Sequence, residues 1–167
     1  VCLESERSYY MAFNGAQFHL LVNHIPVVGF PFLIVLLLIA SETKIIEIKK
    51  FTLIVAVAIG MSSLAAFWTG EPAEDVIEDW PGVSAQLIHG HEELAEKSMV
   101  VAVLTALAAA GAYLLQRRRP ESINKGLGVV LIFALITTVL LILTAHEGGK
   151  IRHPEIMNTD SSNIKSH

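Results

Sequence analysis

Four long uncharged stretches limit what this chain can fold into. They cover residues 25–40, 51–69, 98–116 and 126–145. Each is close to the roughly 20 residues that a membrane-crossing helix needs, and the first reaches that length if its helix begins near Gln17. Backbone polar groups must bond within the segment inside a bilayer, so each stretch is expected to be helical. With 53% hydrophobic residues, the chain is predicted to be an all-α integral membrane four-helix bundle. A soluble bundle of buried helices is the less favoured alternative.

One domain accounts for the whole chain, residues 1–167. The predicted spans lie at about 17–40, 51–69, 94–116 and 126–145. The longest connection, between the second and third spans, contains the acidic segment PAEDVIEDW, residues 72–80, with a few apolar side chains. Such a segment, flanked by tryptophans of an aromatic belt, predicts a short amphipathic helix lying at the membrane surface.

The basic residues are concentrated at one side of the predicted bundle. Seven of the twelve lysines and arginines fall in the two short loops 41–50 and 116–125. Short loops rich in Lys and Arg remain in the cytoplasm, so both termini are expected outside, with the chain as a multi-pass protein of a bacterial inner membrane. The bilayer is therefore the first expected partner. The sequence has no basic patch suited to nucleic acid, which is not expected as a partner.

The histidines are concentrated at the other side. All seven fall there: His19, His24, His89, His91, His146, His153 and His167. A four-helix bundle brings the ends of its helices together around one axis. The side chains expected to meet at that axis are His19, His24, His91 and His146, with Glu71 and Glu74 from the end of the second span.

Helical geometry separates inward from outward histidines. His89 and His91 are two residues apart, about 200° around a helix, so they face opposite ways. His91 is expected to point inward and His89 into water, because His91 shares its face with Leu87, Leu94, Ala95 and Ser98. His19 and His24 are about 140° apart, and Pro26 is expected to bend the turn that follows them. Either the two histidines serve different centres, or one is a ligand that the other supports, and we expect His24 as the ligand and His19 as the support.

Neutral imidazole binds haem iron as well as zinc, copper and non-haem iron. The leading hypothesis is a membrane electron-transfer subunit in which His24 and His91 hold a haem b near the outer, periplasmic face. His146 and His19 are the reserve ligands. Lys150 and Arg152 would meet the haem propionates. Other membrane subunits or a periplasmic electron carrier are the expected partners.

Two alternatives remain open. A non-haem site for Zn, Cu or Fe would use His19, His24, His91 and His146 together with Glu71 and Glu74. The chain could instead be a cofactor-free accessory subunit of a larger membrane complex, in which these polar residues anchor helix ends and bond to one another. Nucleophilic catalysis has no support, and Gly148 and Gly149 are expected to stop the last helix rather than to bind phosphate.

Three groups of motifs carry a resemblance. They are HLLVNHIP at residues 19–26, TGEPAEDVIEDWPGV with HEELAE in the long loop, and AHEGGKIRH after the last span. Together they resemble a family of four-helix bacterial membrane proteins of unknown function with an HxxxxHxP opening, over residues 17–153. The architecture is similar to that of membrane b-type cytochromes. The positions that the resemblance implies as functional are His19, His24, Glu71, Glu74, His91, Glu92, His146, Gly148 and Gly149.

The chain departs from one feature of membrane cytochromes that carry electrons across the bilayer. Those proteins hold haem ligands near both membrane faces, but the histidines of this chain all fall on one side. If the chain binds haem, we therefore expect the haem near the outer face, where it would exchange electrons with a periplasmic carrier or a quinol without forming a complete transmembrane path.

Overall fold

The structure, a computed structural model, describes residues 14–78 and 82–152, with the backbone alone for Arg152. The helices of this part are α1 (Gly15–Glu42), α2 (Ile46–Trp68), α3 (Gly70–Ile77), α4 (Ala85–Leu115) and α5 (Ile123–Arg152), with a 3-10 turn at Pro120–Ser122. The described residues contain no β-strand. The predicted all-α fold with four long helices is confirmed.

Four helical segments are long and apolar enough to cross a membrane. They are α1, α2 continued by α3, α4, and α5 preceded by its 3-10 turn. Many large apolar side chains lie on their outer surfaces, including Leu21, Val28 and Ile142, each more than half exposed. An apolar exterior is what lipid tails require, so the four predicted spans are present as helices that fit a multi-pass membrane protein.

Polar caps set the helix ends beyond the uncharged stretches. The Asn14 side chain accepts from the Gln17 backbone N–H at 2.9 Å, and the Gln17 side chain accepts from the Asn14 N–H at 3.4 Å. This capping box starts α1 a little earlier than predicted. The Ser84 side chain accepts from the Leu87 N–H at 3.3 Å, which starts α4 at Ala85, close to the helix start near Val83 that the sequence predicts. Both helices thereby carry their histidines on regular helical turns.

The long helices form a closed ring in chain order. Contacts are extensive between α1 and α2, α2 and α4, α4 and α5, and α5 and α1, whereas α2 and α5 barely touch. Consequently α1 lies diagonally opposite α4. The start of α1, the end of α2, the start of α4 and the end of α5 meet at one end, named here the histidine end. The opposite end, with the loops 43–45 and 116–122, is named the basic end.

The short helix α3 covers the histidine end beside α1. A Cβ atom added at Gly15 would lie 2.1 Å from the carbonyl oxygen of Pro72, so the two backbones are in direct contact. The predicted amphipathic helix is confirmed over Gly70–Ile77, whereas Trp80, at its predicted end, lies outside the described residues.

Small residues close the middle of the bundle. A Cβ atom added at Gly60 of α2 would lie 2.6 Å from the Ala102 carbonyl oxygen and 2.8 Å from the Ala106 Cβ of α4. Close approach through small residues is the usual packing of membrane helices, because lipid gives apolar side chains no hydrophobic drive to associate. The interior at this depth is therefore filled by helix backbone, and space for a ligand must lie nearer the ends.

Two sequence predictions about helix ends are wrong. Gly148 and Gly149 do not stop the last helix, because α5 continues through both to Arg152 and packs against α4 there. Lys49 does not lie in a loop, because α2 already begins at Ile46. Its side chain is buried and donates to the Asn124 Oδ1 of α5. In both places tertiary contacts outweigh the local residue preference.

Candidate cofactor site at the histidine end

His19 is held by the end of α2. Its Nδ1 lies 3.0 Å from the Thr69 hydroxyl oxygen, and that hydroxyl donates to the Ala66 carbonyl at 2.9 Å. Because the single hydroxyl proton is used in that bond, the Nδ1–H of His19 is the donor to Thr69. Half-buried His19 is thus fixed in the tautomer protonated at Nδ1.

His91 is held in the same way by α5. Its Nδ1 lies 3.0 Å from the Thr144 backbone carbonyl, and since a carbonyl can only accept, the Nδ1–H donates. The ring lies directly against Gly148, where an added Cβ would be 3.2 Å from both Cε1 and Nδ1 of His91. His91 is partly buried and His89 is exposed. The prediction that His91 faces inward and His89 outward is therefore confirmed.

The two anchored histidines lie at the same end of the bundle. They come from diagonally opposed helices, near enough for a charge on one to affect the other. A neutral imidazole protonated at Nδ1 carries its lone pair on Nε2. An Nδ1–H bonded to an oxygen acceptor is the usual partner arrangement behind a histidine that binds a metal through Nε2. His19 and His91 thus form a pair of potential ligands that is orientated by Thr69 and Thr144.

A buried hydroxyl layer lies below this pair. The Ser98 hydroxyl bonds the Leu94 carbonyl at 2.7 Å and the Thr144 hydroxyl at 2.9 Å. The Ser63 hydroxyl of α2 is only 4% exposed and has no hydrogen-bond partner among the described residues. An unpaired buried hydroxyl costs about 1–3 kcal/mol, so a polar group or water at this level would be stabilised.

Carboxyl groups border the pair on the α3 side. The Glu74 side chain of α3 lies close enough to the Glu92 side chain of α4 for the charges of the two carboxylates to interact. Glu71 is exposed. The Glu147 carboxylate of α5 pairs with Lys150 at 2.6 Å and interacts electrostatically with His91. Of the predicted acidic ligands, Glu74 therefore lies at the histidine end beside Glu92.

The remaining predicted residues lie elsewhere. His24 is exposed on α1, and its Nδ1 bonds the Leu20 carbonyl of its own helix. His146 is exposed on α5. α1 continues as one helix through Pro26, so the angular separation of His19 and His24 is retained and only His19 faces the cluster. The geometry thus favours His19 over His24 as the ligand. The side chain of Arg152, and His153, lie outside the described residues.

The described residues form no site in which three protein side chains could hold a metal ion. Across residues 14–78 and 82–152, no group of three His, Cys, Asp or Glu side chains is arranged to hold a metal ion. The four histidines and two glutamates that were expected to converge therefore provide only one inward pair, His19 and His91, with carboxyl groups nearby. The arrangement can present two nitrogen ligands from opposite helices.

Several residues of the site were not found from the sequence. Thr69 and Thr144 orientate the histidines, and Ser63 and Ser98 form the layer below them. Ser98 lies seven residues after His91, and the sequence placed it on the same helical face, but its bond to the Thr144 hydroxyl was not predicted. Thr144 contributes its backbone carbonyl to His91, and a backbone contact of this kind has no signature in the residue type.

Substitution at Gly148 tests whether its contact positions His91. Gly148→Val should push the imidazole away from the Thr144 carbonyl, because even a single added carbon would be too close to the ring. The matched control is Gly149→Val, since no atom of the described residues lies within 4 Å of a Cβ at Gly149. The NMR signals of isotope-labelled His91 should shift in the first variant and stay unchanged in the second. Equal shifts in both variants would show that this contact does not set the ring position.

Comparison with protein-family models, with curated proteins and with solved structures found no match to this chain. The resemblance to the HxxxxHxP membrane family therefore stays a prediction, and the functional argument rests on the geometry of the histidine end.

Proposed function

We propose that this protein is a membrane electron-transfer subunit that holds one haem b between His19 and His91 at the histidine end. The observation that carries the proposal is the matched anchoring of these two histidines. Each donates its Nδ1–H to an oxygen of a neighbouring helix, so each retains an Nε2 lone pair. They come from opposite helices, so His19 and His91 would hold the haem iron between them.

The number of ligands favours haem over a bare metal ion. A porphyrin supplies four nitrogen ligands itself, so a haem protein needs to add only one or two. Zinc sites generally take three or four protein ligands, more than the inward histidine pair provides.

The chain's own residues would tune the bound group. Thr69 and the Thr144 carbonyl would fix the ring planes and increase the basicity of both imidazoles. Gly70 and Gly148 leave the histidine rings room: a Cβ at Gly70 would be 4.0 Å from the His19 ring. Lys150 would meet a propionate in competition with Glu147, with which it pairs. Haem would supply the one-electron chemistry.

The cellular setting follows from the distribution of basic residues. Seven of the twelve lysines and arginines belong to the basic end and its flanking turns, which would place that end in the cytoplasm of a bacterium. The histidine end and both termini would then face the periplasm. The haem would exchange electrons with a periplasmic carrier or a quinol, within a larger assembly of membrane subunits.

Metal and haem analysis of the purified full chain tests the proposal. We expect stoichiometric iron that can be extracted as haem b, about one per chain. Stoichiometric zinc, copper or iron without porphyrin would contradict haem and support the non-haem alternative. A preparation from cells supplied with haem precursor that contains neither haem nor metal would contradict both and leave the accessory-subunit role.

A further inference from the structure

At the basic end, far from the histidines, a surface groove runs between α4 and α5. Its volume is about 470 Å³. Apolar side chains line its inner part, among them Ala108, Leu115 and Val129, and the cationic side chains of Arg119 and Lys125 line its mouth. The groove therefore combines an apolar channel with a positively charged entrance.

The groove crosses from the apolar to the polar level of the bundle. From Ala108 to Leu115 the α4 axis rises about 10 Å, within a candidate membrane span. Arg119 lies beyond Gln116, where the uncharged stretch ends. The floor is closed by helix contact, because a Cβ added at Gly126 would lie 2.5 Å from the Ala112 Cβ. An occupant would enter from the side that faces lipid.

The charges at the mouth of the groove indicate which kind of ligand it would bind. Arg119 and Lys125 are both exposed and lie on either side of the 3-10 turn. Glu121 is the acidic residue of the lining. Because it offsets only one of the two cations, the mouth keeps a net positive charge. The neighbouring Arg117 is placed differently, with its guanidinium 5.3 Å above the Tyr113 ring. Paired cations above an apolar channel suit a phosphate that is attached to an acyl chain.

We propose that this groove is a binding site for an anionic phospholipid. Arg119 and Lys125 bind the headgroup phosphate, and one acyl chain lies along Ala108, Leu115 and Val129. The site is independent of any cofactor at the histidine end. Free inorganic phosphate shares the headgroup chemistry, but the apolar inner part gives a lipid additional contact area that phosphate cannot use.

Native mass spectrometry of the detergent-solubilised full chain tests the site. The probes are phosphatidylglycerol and phosphatidylcholine with identical acyl chains, and inorganic phosphate. We expect phosphatidylglycerol to be retained in preference to phosphatidylcholine. Substituting both groove cations, Arg119→Gln with Lys125→Gln, should weaken phosphatidylglycerol binding by roughly tenfold or more. The control pair, Arg117→Gln with Arg118→Gln, removes the same charge from the same loop and should weaken binding by no more than about twofold.

A second pair of variants tests the acyl-chain part. Val129→Phe fills the lipid-facing side of the groove, and the control Ile132→Phe lies at an exposed position one turn further along α5. The first should reduce retention of phosphatidylglycerol and the second should not. Equal effects of the two cation pairs would overturn the site in favour of diffuse surface attraction. Full displacement of the lipid by inorganic phosphate, with no effect of Val129→Phe, would show a phosphate site instead.

Discussion

Gly60→Val is expected to force α2 and α4 apart and to destabilise the bundle. A single carbon added at Gly60 would already lie 2.6 Å from a backbone oxygen of α4, and a backbone atom cannot move aside as a flexible side chain can. The two further methyl carbons of valine must then displace Ala102 and Ala106. Overpacking of this kind costs about 1–3 kcal/mol, occasionally more. The apparent midpoint of thermal unfolding in detergent should fall accordingly.

Matched controls for this prediction exist in the same bundle. Gly111 of α4 and Gly128 of α5 have no atom of the described residues within 4 Å of an added Cβ. Gly111→Val and Gly128→Val should therefore leave the midpoint close to that of the unsubstituted chain. A midpoint for Gly60→Val equal to those of the controls would show that α2 and α4 are not in close contact at this depth.

His91→Ala and His19→Ala are each expected to abolish haem binding. Each removes one of the two inward nitrogen ligands, and the exposed His24 and His146 cannot replace it without repacking α1 or α5. Haem content per chain should be measured on purified protein, with circular dichroism to confirm that the helices are retained. Thr69→Val keeps the side-chain shape but removes the acceptor for the His19 Nδ1–H. Such supporting contacts are generally worth a roughly 10- to 100-fold change in affinity.

His89→Ala and His24→Ala are the controls for the ligand variants. Both residues are exposed on the same two helices as the proposed ligands, so both variants should keep the full haem content. Loss of haem in His24→Ala with retention in His19→Ala would support His24, the ligand predicted from the sequence, over His19. It would also show that the orientation of α1 differs from the one described here.

The fold was predictable because its main signal is simple. Uncharged stretches of the length that crosses a bilayer can be found without knowledge of tertiary contacts, and all four are helices in the structure. The helix ends were less predictable, because they depend on caps such as Asn14 and on packing. Two adjacent glycines normally favour a helix stop, but α5 continues past Gly149 because Gly148 packs against His91.

The site was only partly predictable from the sequence. Helical periodicity was sufficient for His91 and His89, which lie on one regular helix. It was insufficient to choose between His19 and His24, because the answer depends on how α1 is rotated relative to α2. The contact between His19 and Thr69 fixes that rotation, and it joins residues 50 positions apart. Contacts of this kind appear only when the helices are assembled.

The absorption spectrum of the purified full chain, before and after dithionite, tests the central claim most directly. Two histidine ligands predict six-coordinate, low-spin haem b, with a Soret band that shifts on reduction and sharp bands in the visible region. The double variant His19→Ala with His91→Ala should lack all of these bands. A chain without a Soret band in either oxidation state, or a haem spectrum that the double variant retains, would contradict the proposal that these two histidines hold a haem.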